Sequence, residues 1–281
     1  MRKAFKDHWP EYLMEATGLG VFMISACAFT ILLYHSASPV LAILPDELAR
    51  RTLMGLAMGL TAIAIIYSPW GKRSGAHLNP AVTLAFLSLR KIAPSDAAFY
   101  MLSQFVGALA GVALMSVFSG HALMDPMVNY AATLPGSRGI GAALIGELVI
   151  SFALMCVVLA VSNLKRMARF TGVFAGTCVA MFIILESPIS GMSMNPARSV
   201  GSAILPGLWE SLWIYFVAPP LGMLAAVAAY CRWNPAAACA KLHHDDKTPC
   251  IFCDYRAGQK AKSRPERFAF ANHQLINQDP G

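Results

Sequence analysis

Charge is what this chain has least of. Asp, Glu, Lys and Arg make up 13% of its 281 residues, against about 25% in an ordinary soluble domain. With 57% hydrophobic residues, that deficit favours a single membrane domain over two soluble ones. A secreted disulfide framework is also lacking. Of Cys27, Cys156, Cys178, Cys231, Cys239, Cys250 and Cys253, the first four fall in apolar segments, where Cys mostly acts as a small hydrophobe. No nucleotide loop and no nucleophile–base pair is present, so the chain does not read as an enzyme. No small-residue cleavage site follows the first apolar run, which therefore reads as a retained span. Acidic residues are the scarcer sign, 15 against 22 Lys and Arg.

Six runs, near 12–34, 51–68, 97–118, 140–162, 170–188 and 210–230, reach the ~20 helical residues that cross a hydrocarbon core. With both termini inside, only Arg50, Arg51, Arg138 and Arg198 of the 22 basic residues fall outside. That asymmetry follows the positive-inside rule. It accounts for the basic balance by membrane topology and leaves no call for nucleic acid.

The chain also repeats itself. Ser74-Gly75-Ala76-His77-Leu78-Asn79-Pro80-Ala81 is matched by Ser190-Gly191-Met192-Ser193-Met194-Asn195-Pro196-Ala197. Gly55 and Gly59 in the second span match Gly172 and Gly176 in the fifth at nearly the same offset, and Glu15 in the first span matches Glu147 in the fourth. Three spans per half is odd, so the second half is inverted, an arrangement that places a functional site near the midplane. Asn caps a helix and Pro suits its first position. Short helices are therefore expected from Asn79-Pro80 to about Leu89 and from Asn195-Pro196 to about Ile204, each about 15 Å long. Their N-termini meet at the centre, where each carries a partial positive charge. Each Asn oxygen caps its own helix and leaves the NH₂ group to donate into a pore. The carbonyls of 74–78 and 190–194 are expected to line the way in as a ladder of acceptors. The third copy, Asn234-Pro235-Ala236, has no such frame and reads as an ordinary loop.

On these paired motifs, with Arg198 after the second, Glu15, Glu147 and the Gly pairs, the chain resembles an aquaporin of the major intrinsic protein family over roughly residues 10–232. The resemblance implies an all-α membrane protein of six transmembrane helices and two half-helices in an inverted repeat. It implies a homotetramer in a cytoplasmic or plasma membrane, embedded in lipid, with one pore per subunit for passive flow of water or small neutral solutes such as glycerol or metalloid acids, excluding ions and protons. The expected organisation is a cytosolic N-terminus at 1–11, a channel domain at 12–232 and a cytosolic tail at 233–281. In the family the Asn pair forms the central constriction, and Glu15 and Glu147 match the residues that brace the two loops. The selectivity filter maps onto Arg198, Met192, Ile183 and, in the second span, Met58 or Gly59. Ile183 stands where water-selective members have His, and Met192 where they have a small polar residue. Arg198 thus faces an apolar wall, as in members that pass glycerol and metalloid acids. Glu186 has three open roles: pairing with Arg198, lining the vestibule or capping the loop. His77 is expected to be a hydrogen-bonded loop residue, with pH gating as the sharper alternative.

No cofactor is required for passive flow. In the tail, however, Cys239, His243, His244, Cys250 and Cys253 form a cluster from which Cys239, His243, Cys250 and Cys253 can supply four ligands to one Zn²⁺. The alternative is a tail of reduced thiols. The tail is placed at the cytosolic mouth beside His77 and Lys72, and residues 255–281 read as disordered. Two rival functions remain: a secondary transporter on the same inverted-repeat plan, and a structural membrane protein whose pore is closed.

Overall fold

The computed structural model describes residues 1–233, 239–244 and 250–253. The third Asn-Pro-Ala copy and the expected disorder of 255–281 lie outside them. Among the described residues the elements are helical. The long helices are α1 (Arg2–Tyr34), α2 (Glu47–Tyr67), α4 (Pro94–Ser119), α5 (Gly139–Asn163), α6 (Thr171–Ser190) and α8 (Trp213–Trp233). Two short ones, α3 (Pro80–Ser88) and α7 (Pro196–Ala203), complete the two halves. All six long helices are apolar and long enough to cross a membrane.

α1 starts ten residues before its apolar run. The added turns are tied to α4 by polar side chains: Tyr12 Oη donates to Asp96 Oδ1 at 2.6 Å and His8 Nδ1 lies 3.0 Å from the same oxygen. Glu11 pairs with Arg73 at 2.9 Å.

The packing follows the repeat. α1 lies against α4 and α5 against α8, one such pair in each half, and α2 crosses α6 between the halves. The last crossing depends on glycine. A Cβ on Gly59 would lie 2.6 Å from the Gly176 carbonyl oxygen, and a Cβ on Gly176 would lie 2.6 Å from that of Gly59. Small residues allow such backbone contact in a bilayer, where apolar burial gives helices little reason to associate. Gly59 therefore sits in the helix contact, and its neighbour Met58 lines the cavity between the helices. Outward, Leu53, Leu60, Leu102, Val117, Ile145 and Leu185 are exposed, an apolar surface suited to lipid.

Candidate functional site

Both half-helices begin as their sequence dictates. Asn79 is extended (φ −159°, ψ 121°) and its Oδ1 accepts from Ala81 N at 2.8 Å. Asn195 is likewise extended, and its Oδ1 accepts from Ala197 N at 3.0 Å and Arg198 N at 3.2 Å. Pro80 and Pro196 occupy the first helical position, where a missing N–H is harmless. Ala81 and Ala197 are buried behind them. The half-helices have 9 and 8 residues, so they span about 12–14 Å, slightly less than expected because Leu89 and Ile204 act as C-caps.

The two N-termini meet. Asn79 Nδ2 donates to Met194 O at 2.7 Å, and Asn195 Nδ2 donates to Leu78 O at 2.8 Å. One hydrogen of each amide thus locks the two loops together, and the second remains for the pore. This corrects the expectation that each NH₂ is wholly free.

The loops before the half-helices are strained: Ala76, Leu78, Met192 and Met194 all have φ between 50° and 55°. Non-glycine residues persist there only when their surroundings over-determine them. Two buried carboxylates do so. Glu15 accepts from Ser74 Oγ (2.7 Å), His77 N (3.1 Å), Leu78 N (2.6 Å) and Gln104 Nε2 (2.8 Å). Glu147 accepts from Ser190 Oγ (2.7 Å), Ser193 N (2.6 Å) and Met194 N (2.7 Å). A second pair of braces carries no signal in the sequence. Tyr100 Oη donates to Ser74 O at 2.6 Å, and Tyr215 Oη donates to Ser190 O at 2.5 Å. The acceptor ladder is accordingly shorter than expected. Ser74, Leu78, Ser190 and Met194 spend their carbonyls on bracing, and Gly75 O accepts from Leu242 N at 3.1 Å.

A cavity of about 430 Å³ runs past these groups. Asn79 and Asn195, where the two half-helix N-termini meet, line it. Met58, Ile183, Met192 and Arg198 also line it, as do His77 and Leu242. Arg198 Nη1 is buried and without a hydrogen-bond partner among the described residues. An orphaned buried donor is expensive, and Arg198 is one that borders the cavity. Glu186 does not supply an acceptor: its Oε2 accepts from Ser190 Oγ at 2.8 Å on its own helix, and no ion pair with Arg198 forms among the described residues. His77 is a bonded loop residue, with Nδ1 3.1 Å from Thr83 Oγ1 and Nε2 donating to Ala240 O at 2.6 Å.

The tail lies against this mouth. Besides the contacts of Ala240 and Leu242, Lys241 Nζ donates to Lys72 O at 2.7 Å, and the Phe252 ring stacks on His77 with centroids 5.5 Å apart. Cys239, His244, Cys250 and Cys253 converge, with one donor atom from each lying within 4.8 Å of all the others. The histidine differs from the expected one: His244 joins the cysteines, while the His243 ring packs edge-on against Tyr67, centroids 5.0 Å apart. Adjacent histidines in an irregular segment point different ways, and spacing alone does not choose between them. Hydrogen bonding with Cys239 and Cys250 holds the Cys253 thiol far below the ordinary thiol range. Bonds to Cys250 and Cys253 push His244 up to about 9.

The comparisons with known proteins agree with this geometry. The model of the family described as major intrinsic protein matches residues 3–230. The chain is 34% identical over 244 residues to Aquaporin NIP2-3 of Zea mays, covering 85% of this chain and 77% of that one. It is 33% identical over 235 residues to Aquaporin-4 of Rattus norvegicus, covering 81% and 69%. Among solved structures, the aquaglyceroporin from Plasmodium falciparum superposes with a TM-score of 0.64 at 21% identity, covering 80% of this chain and 96% of that one. That likeness concerns the fold.

Proposed function

This chain belongs to the major intrinsic protein family, whose members are membrane channels and not enzymes, and from that premise we propose how its pore selects. It is a multi-pass channel for water or small neutral solutes. The observation that carries the finer reading is the buried, unpartnered Nη1 of Arg198 beside a wall of Met58, Ile183 and Met192. Such a filter suits a molecule with hydroxyls on one side and little polarity on the other, as in glycerol or boric acid. A hydroxyl accepts from Arg198 while the remainder slides along the apolar wall. Water finds few partners there, so its flux is low for this family. Met58 and Met192 are unbranched and flexible, and adapt to the passing shape.

A cation meets the Arg198 charge, and at the centre it meets two half-helix N-termini with their partial positive charges. It sheds its hydration shell without compensation, and ions and protons are excluded. The transporter alternative needs a carboxylate free to couple. Of the three candidates, Glu15 and Glu147 are committed to the loops, which favours passive flow. Glu186 is held through Oε2 by Ser190 Oγ and has its Oε1 unpartnered among the described residues, so it is the one carboxylate left for the rival. The family relationship and the outward apolar faces support a homotetramer in a cell membrane, with both termini cytosolic as the basic residues indicate.

The filter reading is tested by exchanging its wall. Ile183→His together with Met192→Thr adds hydrogen-bonding groups for water and should raise the water-to-glycerol permeability ratio in proteoliposomes. A wild type that passes water rapidly and rejects both glycerol and boric acid would contradict it.

A further inference from the structure

Four soft donors gather where passive conduction asks for none. Cys239 Sγ lies 3.5 Å from Cys250 Sγ, and His244 Nε2 lies 3.3 Å from Cys253 Sγ. All four donor atoms fall within 4.8 Å of one another. With Zn–S bonds of about 2.3 Å, the edges of a tetrahedral site are about 3.8 Å, so these distances surround a single ion. Three thiolates and one imidazole suit zinc in preference to magnesium or calcium, which take oxygen. Four protein ligands leave no open position, the mark of a structural site.

The ligands also bracket the contacts between the tail and the pore loop described above. The residues between Cys239 and His244 include Ala240, Lys241 and Leu242. Their partners are His77 Nε2, Lys72 O and Gly75 O, at 2.6, 2.7 and 3.1 Å. Between Cys250 and Cys253 comes Phe252, stacked on His77. Leu242 is buried and is itself part of the cavity wall. Neither stretch has a helix or sheet to hold it, so a crosslink at both ends is what would keep these contacts in register.

We propose that Cys239, His244, Cys250 and Cys253 bind one Zn²⁺, and that this ion clamps the tail across the inner mouth of the pore with Leu242 set in the path. The clamp makes the channel responsive to zinc supply and to thiol oxidation. Its effect on flow rests on the channel reading above, whereas the metal site stands apart from it.

The test begins with metal analysis of the full chain purified without chelator. About one zinc per chain is expected, falling below about a tenth in Cys250→Ser and Cys253→Ser. His243→Ala should keep the metal and His244→Ala should lose it. These residues lie outside the spans, so elution as a folded oligomer checks that each variant is intact. In proteoliposomes a membrane-permeant chelator should raise glycerol permeability several-fold, and added Zn²⁺ should restore the lower value. Leu242→Gly should keep its zinc yet conduct without chelator. Wild-type protein with less than about a tenth of an equivalent, or with its tail thiols paired as a disulfide and no metal, overturns the site. Bound zinc whose removal leaves permeability unchanged overturns the clamp. If no form conducts, the channel reading fails and the clamp with it, while the metal content still decides the site.

Discussion

At the residue scale, the decisive groups are those whose polar atoms have no free choice. Glu147 accepts two backbone N–H groups and one hydroxyl in a buried place. Glu147→Gln turns one acceptor into a donor that faces a donor, leaving at least one buried group unmatched. A loss of about 1–3 kcal/mol is expected, read as a lower melting temperature of the purified protein; an unchanged melting curve would remove the bracing role. Arg198 is the opposite case. Its Nη1 has no protein partner among the described residues, so Arg198→Val should leave folding intact and change transport alone. Permeability to larger polyols should rise several-fold, and a proton leak should appear in a pH-jump assay. Identical permeability and leak in the variant would take Arg198 out of the filter. Much of this was legible in sequence, because an Asn-Pro at the head of a short apolar segment and a carboxylate in an apolar span each have few physical explanations. Tyr100 and Tyr215 were not legible: a single Tyr in a membrane span looks like any core aromatic until its hydroxyl is seen to meet Ser74 O or Ser190 O.

At the element scale, the half-helices and the α2–α6 crossing set the pore. Hydropathy located the six spans because a bilayer demands long apolar helices, and the cap residues located α3 and α7. What periodicity did not settle was rotation, as with Met58 against Gly59. The intervening segment Pro69–Ser74 forms a short additional helix, which shifts any count made along the chain, and only the contact with Gly176 shows which of the two faces the neighbouring helix. Gly59→Val therefore tests an element and not a filter residue. Its first carbon would meet the Gly176 carbonyl oxygen, forcing the helices apart at a cost of about 1–3 kcal/mol. The expected outcome is a lower melting temperature and lost flux for every solute alike. A stable variant with altered solute preference would instead return Gly59 to the pore wall. The convergence of the tail was legible as a Cys/His spacing, but the choice of His244 over His243 was not, since neighbouring side chains of an irregular segment carry no periodicity.

At the scale of the whole molecule, the inverted repeat makes one site from two halves. Each half supplies an Asn, a bracing carboxylate and a bracing tyrosine, and neither half encloses a path alone. The asymmetries that remain are Arg198 with the apolar Met58, Ile183 and Met192, and the tail with Leu242, all of which line the cavity. Stopped-flow light scattering of proteoliposomes holding the full-length protein tests the account most directly. Water, glycerol, urea and boric acid would be compared with and without chelator. Non-saturating glycerol and boric acid flux that is independent of any proton gradient is expected, together with modest water flux. Saturable uptake that requires a proton gradient, or permeability no greater than that of protein-free vesicles under both conditions, would contradict it.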